Sequence, residues 1–303
     1  MSASTLPTTK MVSAYWLPEV GIGPAYPPPP VLPDMQTVVV PLTDILKFTR
    51  PDGSPQINVV NLMGATFTQS TDFNPPYLDF APNLLSLLEN GEYKSLQKAG
   101  IKIVLTILGN NGYGWSSIPP AKIQPFVNYL NETFIHAGYH LDGIDVDNEY
   151  AILGHTLTET IRTMHETFTA GTIISKALYA DLDEIPDIKD YLTFGGIMNY
   201  GNSASLLEYY YGEYRNKGMS NEQLSIGVNA GPIEQGGSFT SVETTRELTN
   251  WQPADGQKRG MMIWSFSQDI QQFTASPQNQ VSLVWPNSED HEWQRAIIEE
   301  MTR

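Results

Sequence analysis

Short apolar runs return again and again along this chain, and between them apolar residues recur at helical spacing. The runs are Met11–Trp16, Ile57–Phe67, Ile101–Leu108, Leu141–Glu149, Thr172–Ala180, Tyr191–Tyr200, Leu224–Ala230 and Met261–Phe266. Between them, Leu84, Leu85, Leu88 and Leu96 form a stripe that stops at Gly100. Ile123, Phe126, Val127, Leu130 and Phe134 form a second stripe, and Leu157, Ile161, Met164 and Phe168 a third. A closing helix is expected over Glu292–Met301. Ile101–Leu108 is almost continuously apolar, as a parallel strand covered on both faces must be. Strand then helix, repeated, means parallel strands joined by helical crossovers.

Eight runs suit an α/β fold of the closed (β/α)8 TIM-barrel type, with Gln36–Val40 set aside as an extra β-branched segment. The first β/α unit is irregular, because Pro24 to Pro33, with Pro27–Pro30 in a row, stands where a helix would be. An open doubly wound sheet is the rival architecture. It finds no phosphate loop here: Gly21-Ile22-Gly23 lacks a third glycine and runs into prolines. No linker or repeat divides the chain, so residues 11–303 are expected to form one domain behind a flexible lead of residues 1–10. At 303 residues the length fits a single barrel.

Thirty-three acidic residues against 17 basic ones give a net charge of −16. Nucleic acid and anionic membrane surfaces are disfavoured as partners, since both need clustered Lys and Arg. There is no cysteine, which excludes disulfides and zinc–thiolate sites. No apolar run reaches the ~18 residues of a transmembrane helix. The first residues, Met-Ser-Ala-Ser-Thr-Leu-Pro, have no apolar signal core. Asn131-Glu132-Thr133 reads as a chance sequon inside a helix.

The segment Leu141-Asp142-Gly143-Ile144-Asp145-Val146-Asp147-Asn148-Glu149-Tyr150 carries the chemistry. Strand side chains alternate between faces, so Asp145, Asp147 and Glu149 share one face and Ile144 and Val146 the other. The apolar face must meet the helices, which turns the acids into the barrel. Each step of two residues climbs about 6.5 Å toward its C-terminal mouth. Like charges placed together out of water are costly, and stability alone would favour Val or Ile there. A solvated acidic edge would not alternate with Ile and Val. A metal cage stays open as an alternative, although the five His show no ligand spacing. Catalysis is the favoured reading: neighbouring acids share protons, and the one at the mouth, Glu149, can stay protonated as a general acid.

Asp142-Gly143-Ile144-Asp145-Val146-Asp147-Asn148-Glu149 matches DGxDxDxE, and the chain resembles glycoside hydrolase family 18 on those residues. Within the family, Ile103–Asn110 with its Leu-Gly-Asn turn, Tyr150 after the acid and Val60-Asn61-Leu62 resemble the endo-β-N-acetylglucosaminidases of the H and F type. Met198-Asn199-Tyr200 is followed by Gly201, where many chitinases have Asp. The stretch between the seventh and eighth strands is too short for the module that deepens the groove of many bacterial chitinases. Trp264 at the end of the eighth strand is chitinase-like and keeps a small open-cleft chitinase as the alternative. A barrel that binds glycans without cutting them is a second alternative, although such relatives have usually lost the acid.

The resemblance implies a retaining, substrate-assisted reaction on the GlcNAcβ1-4GlcNAc core of N-linked, high-mannose glycans. It implies Glu149 as acid and base and Asp147 as the residue that orients the substrate acetamido group. Asp145 would hydrogen-bond Asp147, and Tyr200 would donate to the acetamido oxygen. No cofactor or metal is implied. The partner is an N-glycan or another GlcNAc-containing oligosaccharide on a glycoprotein, met by a monomer. Candidate sugar contacts are Trp264, Asn110, Tyr113, Trp115, Asn199, Met198, Asn61 and, more weakly, Gln268 and Asp269. Tyr15 and Trp16 read equally as core. The family favours a secreted or periplasmic protein. The bare N-terminus leaves the cytoplasm open.

Overall fold

In the computed structural model the described residues are 6–18, 40–50, 52–69, 72–109, 114–149, 156–179, 182–198, 200–201, 203–230, 240–269, 272–275, 281–284 and 291–302. The strands are β1 (Met11–Trp16), β2 (Val59–Phe67), β3 (Leu78–Phe80), β4 (Lys102–Leu108), β5 (Gly143–Asp147) and β6 (Ile173–Leu178). They continue with β7 (Phe194–Ile197), β8 (Leu224–Asn229), β9 (Gly260–Trp264), β10 (Gln272–Ala275) and β11 (Val281–Val284). The helices are α1 (Pro82–Asn90), α2 (Lys94–Lys98), α3 (Pro120–Leu130) and α4 (Thr156–Thr167). After them come α5 (Ile185–Ile188), α6 (Ala204–Asn216), α7 (Val242–Asn250) and α8 (Glu292–Thr302).

Eight strands pair in parallel in the order β1-β2-β4-β5-β6-β7-β8-β9, and β9 pairs back to β1, closing the barrel. All eight expected runs supply these strands. Between β1 and β2 the described residues hold only the 3₁₀ turn Leu42–Lys47 in place of an α-helix, as the irregular first unit anticipated. Of Gln36–Val40 only Val40 lies among the described residues. The two-stranded antiparallel sheet of β10 and β11, and β3 folding back on β2, were not anticipated.

The stripe from Leu84 to Leu96 is two helices rather than one. Gly91, at φ +70°, takes the left-handed conformation that ends α1. Leu85 turns outward, and Leu87 joins Leu84 and Leu88 in the core. Past Leu130, α3 continues as a π-helical turn over Asn131–His136.

The strands bury both faces, and the two faces differ. Toward the helices, Ile103, Leu105, Ile107, Ile144 and Val146 enter the main core. Inside the bore, Met11, Val59, Val104, Ile173 and Phe194 form a separate apolar cluster, with Leu6 packed against it. Register sets the next levels up. Thr106 pairs with Asp145 and Asp145 with Ser175, so hydroxyls and a carboxylate lie directly above the apolar floor.

Candidate active site

The acid strand is anchored at its lower end. Asp142 accepts from Gln97 Nε2, Lys102 Nζ and the backbone N–H of Ile103, each at 2.9 Å, which fixes where β5 begins against β4. Gly143 follows because nothing larger fits: a Cβ there would lie 2.2 Å from the carbonyl oxygen of Ile173. With β5 pinned on both sides, Asp145 and Asp147 point inward as the alternation required, and both are buried.

Asp145 is held by three hydroxyls. Ser175 Oγ donates to its Oδ1 at 2.6 Å, and Tyr15 and Thr106 donate to its Oδ2 at 2.7 and 3.1 Å. Burial pushes its pKa up, while these three donors and the Lys176 ammonium pull the other way. The expected hydrogen bond to Asp147 is not among them. Both Asp145 oxygens are committed to hydroxyls on β1, β4 and β6, and Asp147 Oδ1 is buried without a hydrogen-bond partner among the described residues. Asp145 therefore acts on Asp147 through its charge.

Asp147 is pushed well above the usual carboxylate range, first by burial, then by Glu149 and Asp145, with Lys176 opposing. The strand ends at Asp147, and Glu149 sits in the turn beyond it with its side chain exposed at the rim. Its pKa is raised by desolvation against an opposing pull from Lys176. Two close carboxylates, one sealed and one at the rim, cannot both ionise cheaply, so they hold protons jointly. Asn148 between them turns away and donates from Nδ2 to Ser116 Oγ at 3.1 Å.

Tyr200 closes the far side. Burial and the charges of Glu149, Asp147 and Asp145 raise its pKa well above the phenol value, so the hydroxyl keeps its proton. Its contact is a long one, 3.9 Å to the sulfur of Met262, which leaves a good acceptor a place to bind. Gly227 of β8 makes room for it. A Cβ there would meet Met262 Cε at 2.5 Å, the Ile197 carbonyl at 2.7 Å and the Tyr200 ring at 3.3 Å. Trp264, half-buried at the end of β9, meets the Tyr15 ring edge-on at 5.3 Å. One wall thus joins the ring at the mouth to the tyrosine that holds Asp145.

The structure gathers Asp145, Asp147, Glu149, Tyr200 and Trp264 at one end of the bore, with Met198 half-buried just past β7. Asn110, Tyr113 and Asn199 lie outside the described residues. Two expected sugar contacts, Trp115 and Gln268, are corrected. Trp115 is fully buried, its indole N–H donating to the Ile107 carbonyl at 2.8 Å and its ring packed on Phe67 and Phe126, so no face is left for a sugar. Asn61 is 1% exposed, inside the bore beside Tyr15 in register, with its Oδ1 left without a hydrogen-bond partner among the described residues. Gln268 is likewise 1% exposed and bonds to Ser265. Asp269 caps α8, accepting from the N–H groups of Trp293 and Gln294 at 3.0 and 2.7 Å. Sequence reasoning left Tyr15 undecided and missed Thr106 and Ser175. The register of their strands against β5 is the signal that finds them.

No protein-family model matches the chain. Over 191 residues, 57% of the chain, it is 27% identical to endo-β-N-acetylglucosaminidase F1 of Elizabethkingia meningoseptica, and the match spans only 56% of that relative. Among solved structures, an endo-β-N-acetylglucosaminidase from Cordyceps militaris superposes with a TM-score of 0.62 at 17% identity, covering 97% of this chain and 92% of that one. A family GH18 chitinase from Chromobacterium violaceum gives a TM-score of 0.66 at 18% identity, covering 100% and 86%. The fold is the barrel of these enzymes, and the chain resembles both the endoglycosidases and the chitinases of glycoside hydrolase family 18.

Proposed function

We propose that the chain is a family 18 endo-β-N-acetylglucosaminidase that cleaves the GlcNAcβ1-4GlcNAc core of high-mannose N-glycans with retention of configuration. The observation that carries this reading is the pairing of Asp147 with Glu149 at the mouth, above an Asp145 whose oxygens are already committed. A retaining glycosidase of the ordinary kind needs a carboxylate nucleophile at the anomeric carbon. Family 18 differs in using the substrate itself.

The 2-acetamido oxygen attacks the anomeric carbon as Glu149 gives its proton to the glycosidic oxygen. The C–O bond breaks, the reducing-end fragment leaves as an alcohol, and a cyclic oxazolinium forms. Asp147 accepts the acetamido N–H and balances the positive charge, and Asp145 reinforces that negative potential from below. The Tyr200 hydroxyl donates to the acetamido oxygen and aligns it for attack. Glu149, now ionised, takes a proton from water, which opens the oxazolinium from the opposite face and restores the original anomer. Trp264 offers an aromatic face to the sugar in this site.

The likeness to endo-β-N-acetylglucosaminidase F1 favours the N-glycan core over chitin. A chitinase is the second reading, favoured by Trp264 at the strand end and by the chitinases among the structural neighbours. Side-by-side digests separate the two. A high-mannose glycoprotein should lose its glycan and shift in mobility, while chito-oligosaccharides persist. Chito-oligosaccharide cleavage without a glycoprotein shift would make the protein a chitinase. Turnover of neither would remove both readings.

A further inference from the structure

Glu149 stands outside its strand. β5 ends at Asp147, and Glu149 is exposed in the turn beyond it. Packing does not fix an exposed side chain, so its aim depends on how firmly its neighbours in sequence are held. Both sides are held by one short segment, the 3₁₀ turn Trp115–Ser117 that follows β4. Before Glu149, the buried Asn148 donates from Nδ2 to Ser116 Oγ at 3.1 Å. After it, Thr156, the first residue of α4, donates from Oγ1 to the Trp115 carbonyl at 3.4 Å. The backbone adds a third tie, from the N–H of Gly109 to the Asp147 carbonyl at 2.9 Å.

The turn can serve as an anchor because it is itself fixed. Trp115 is fully buried, with its indole N–H on the Ile107 carbonyl at 2.8 Å. Ser117 Oγ accepts from the N–H of Gly114 at 2.8 Å and donates to the Gly114 carbonyl at 2.9 Å. Gly109 and Gly114 meet backbone to backbone: a Cβ on Gly114 would lie 3.0 Å from the Cα of Gly109. Asn148 Oδ1 faces that junction, 3.6 and 3.8 Å from where the Cβ atoms of Gly109 and Gly114 would stand. The Asn148 amide is thus seated against the base of this segment, with its nitrogen bonded to the turn.

We propose that Asn148 and Ser116 form a latch that aims Glu149, and that both are positioning residues for proton transfer to the glycosidic oxygen. This rests on the reading of the site as a glycosidase. A general acid must come within hydrogen-bond distance of the oxygen that it protonates, and a misplacement of about 1 Å is costly in rate. With the latch removed, the backbone tie at Asp147 remains. Glu149 then keeps its level at the rim and loses its direction.

The test is kcat/KM on two substrates that share one GlcNAc-containing glycone. One releases a sugar alcohol, which needs a proton in order to leave. The other releases nitrophenol, which departs as its anion without one. Ser116→Ala and Asn148→Ala should each lower kcat/KM about tenfold on the first substrate and less than about twofold on the second. Ser116→Thr keeps the hydroxyl and should stay near wild type on both. The double variant should be no slower than the worse single one, because both changes remove the same bond. Ser116 is only half-buried, so Ser116→Ala should melt as the wild type does and carries the test alone if Asn148→Ala does not fold. Equal losses on the two substrates would make the pair structural and overturn the proposal. Wild-type kcat/KM for Ser116→Ala on the first substrate would overturn it too, as would losses that multiply in a folded double variant. Wild-type inactivity on every GlcNAc-containing substrate would instead reject the underlying glycosidase reading.

Discussion

The lower and upper halves of the bore, sharing β1, β4 and β6 a step or two apart, are built under opposite rules. Below, Met11, Val59, Val104, Ile173 and Phe194 close the barrel with apolar packing. Above, β1, β4 and β6 present Tyr15, Thr106 and Ser175, all inside and all bonded to Asp145 of β5. The lower level lowers the free energy of the fold by burying apolar surface. The upper level holds carboxylates where water is scarce, which costs stability and gives acids whose protonation can be set by neighbours. The contrast teaches that the floor supplies the stability that the mouth gives up.

The largest effect expected from breaking the upper half is on rate. Glu149→Gln should lower turnover by roughly 10²–10⁴-fold, the usual worth of a general acid, without loss of melting temperature, because the raised folded pKa of Glu149 means its charge does not stabilise the fold. A matching cut in the floor should do the reverse. Phe194→Ala should cost about 3–5 kcal/mol of stability in denaturant titration, with the specific activity of the folded fraction near wild type. A collapse of activity per folded molecule would show that the halves are not separable.

Between these lies Tyr15→Phe, which removes one of the three donors to Asp145. It should cost about 1–3 kcal/mol near neutral pH and less at pH values where Asp145 is protonated. Equal loss at all pH would mean that the ring, not the hydroxyl, carries the effect. The smallest effect has the opposite sign. The folded-state pKa of Asp147 is raised, so the folded protein binds its proton more tightly than the unfolded chain. Its contribution to stability is therefore fully present below the unfolded pKa, near 4, and falls as pH rises toward the folded value. Asp147→Asn abolishes that fall. It should melt higher than wild type at neutral pH, by a few degrees, with the gap narrowing on acidification, while activity drops.

Much of this was legible in the sequence, and the limits have physical reasons. The inward acids could be read because a parallel strand has only two faces, and Ile144 and Val146 claim the outer one. Glu149 needed more, since the strand ends two residues before it, and its place at the rim comes from the turn. Tyr15 lies near the end of a mostly apolar run and looks like core. Its role depends on Asp145 being across the bore, 130 residues away. Ser175 is silent for the same reason, because only the register of β6 against β5 brings it to Asp145. Trp115 was misplaced because a ring in a polar loop resembles a sugar platform, whereas Phe67 and Phe126 draw it into the core. The paired strands β10 and β11 follow the last barrel strand, where the sequence shows only the stripe of the closing helix.

The joint protonation of Asp147 and Glu149 can be observed directly by following their side-chain carboxyl ¹³C shifts across pH, with the Asn and Gln variants for assignment. The two signals should move together, each showing two steps, with one proton kept well above the ordinary carboxylate range near 4. Two independent single-step titrations, both complete in that ordinary range, would contradict the shared proton on which the proposed chemistry depends.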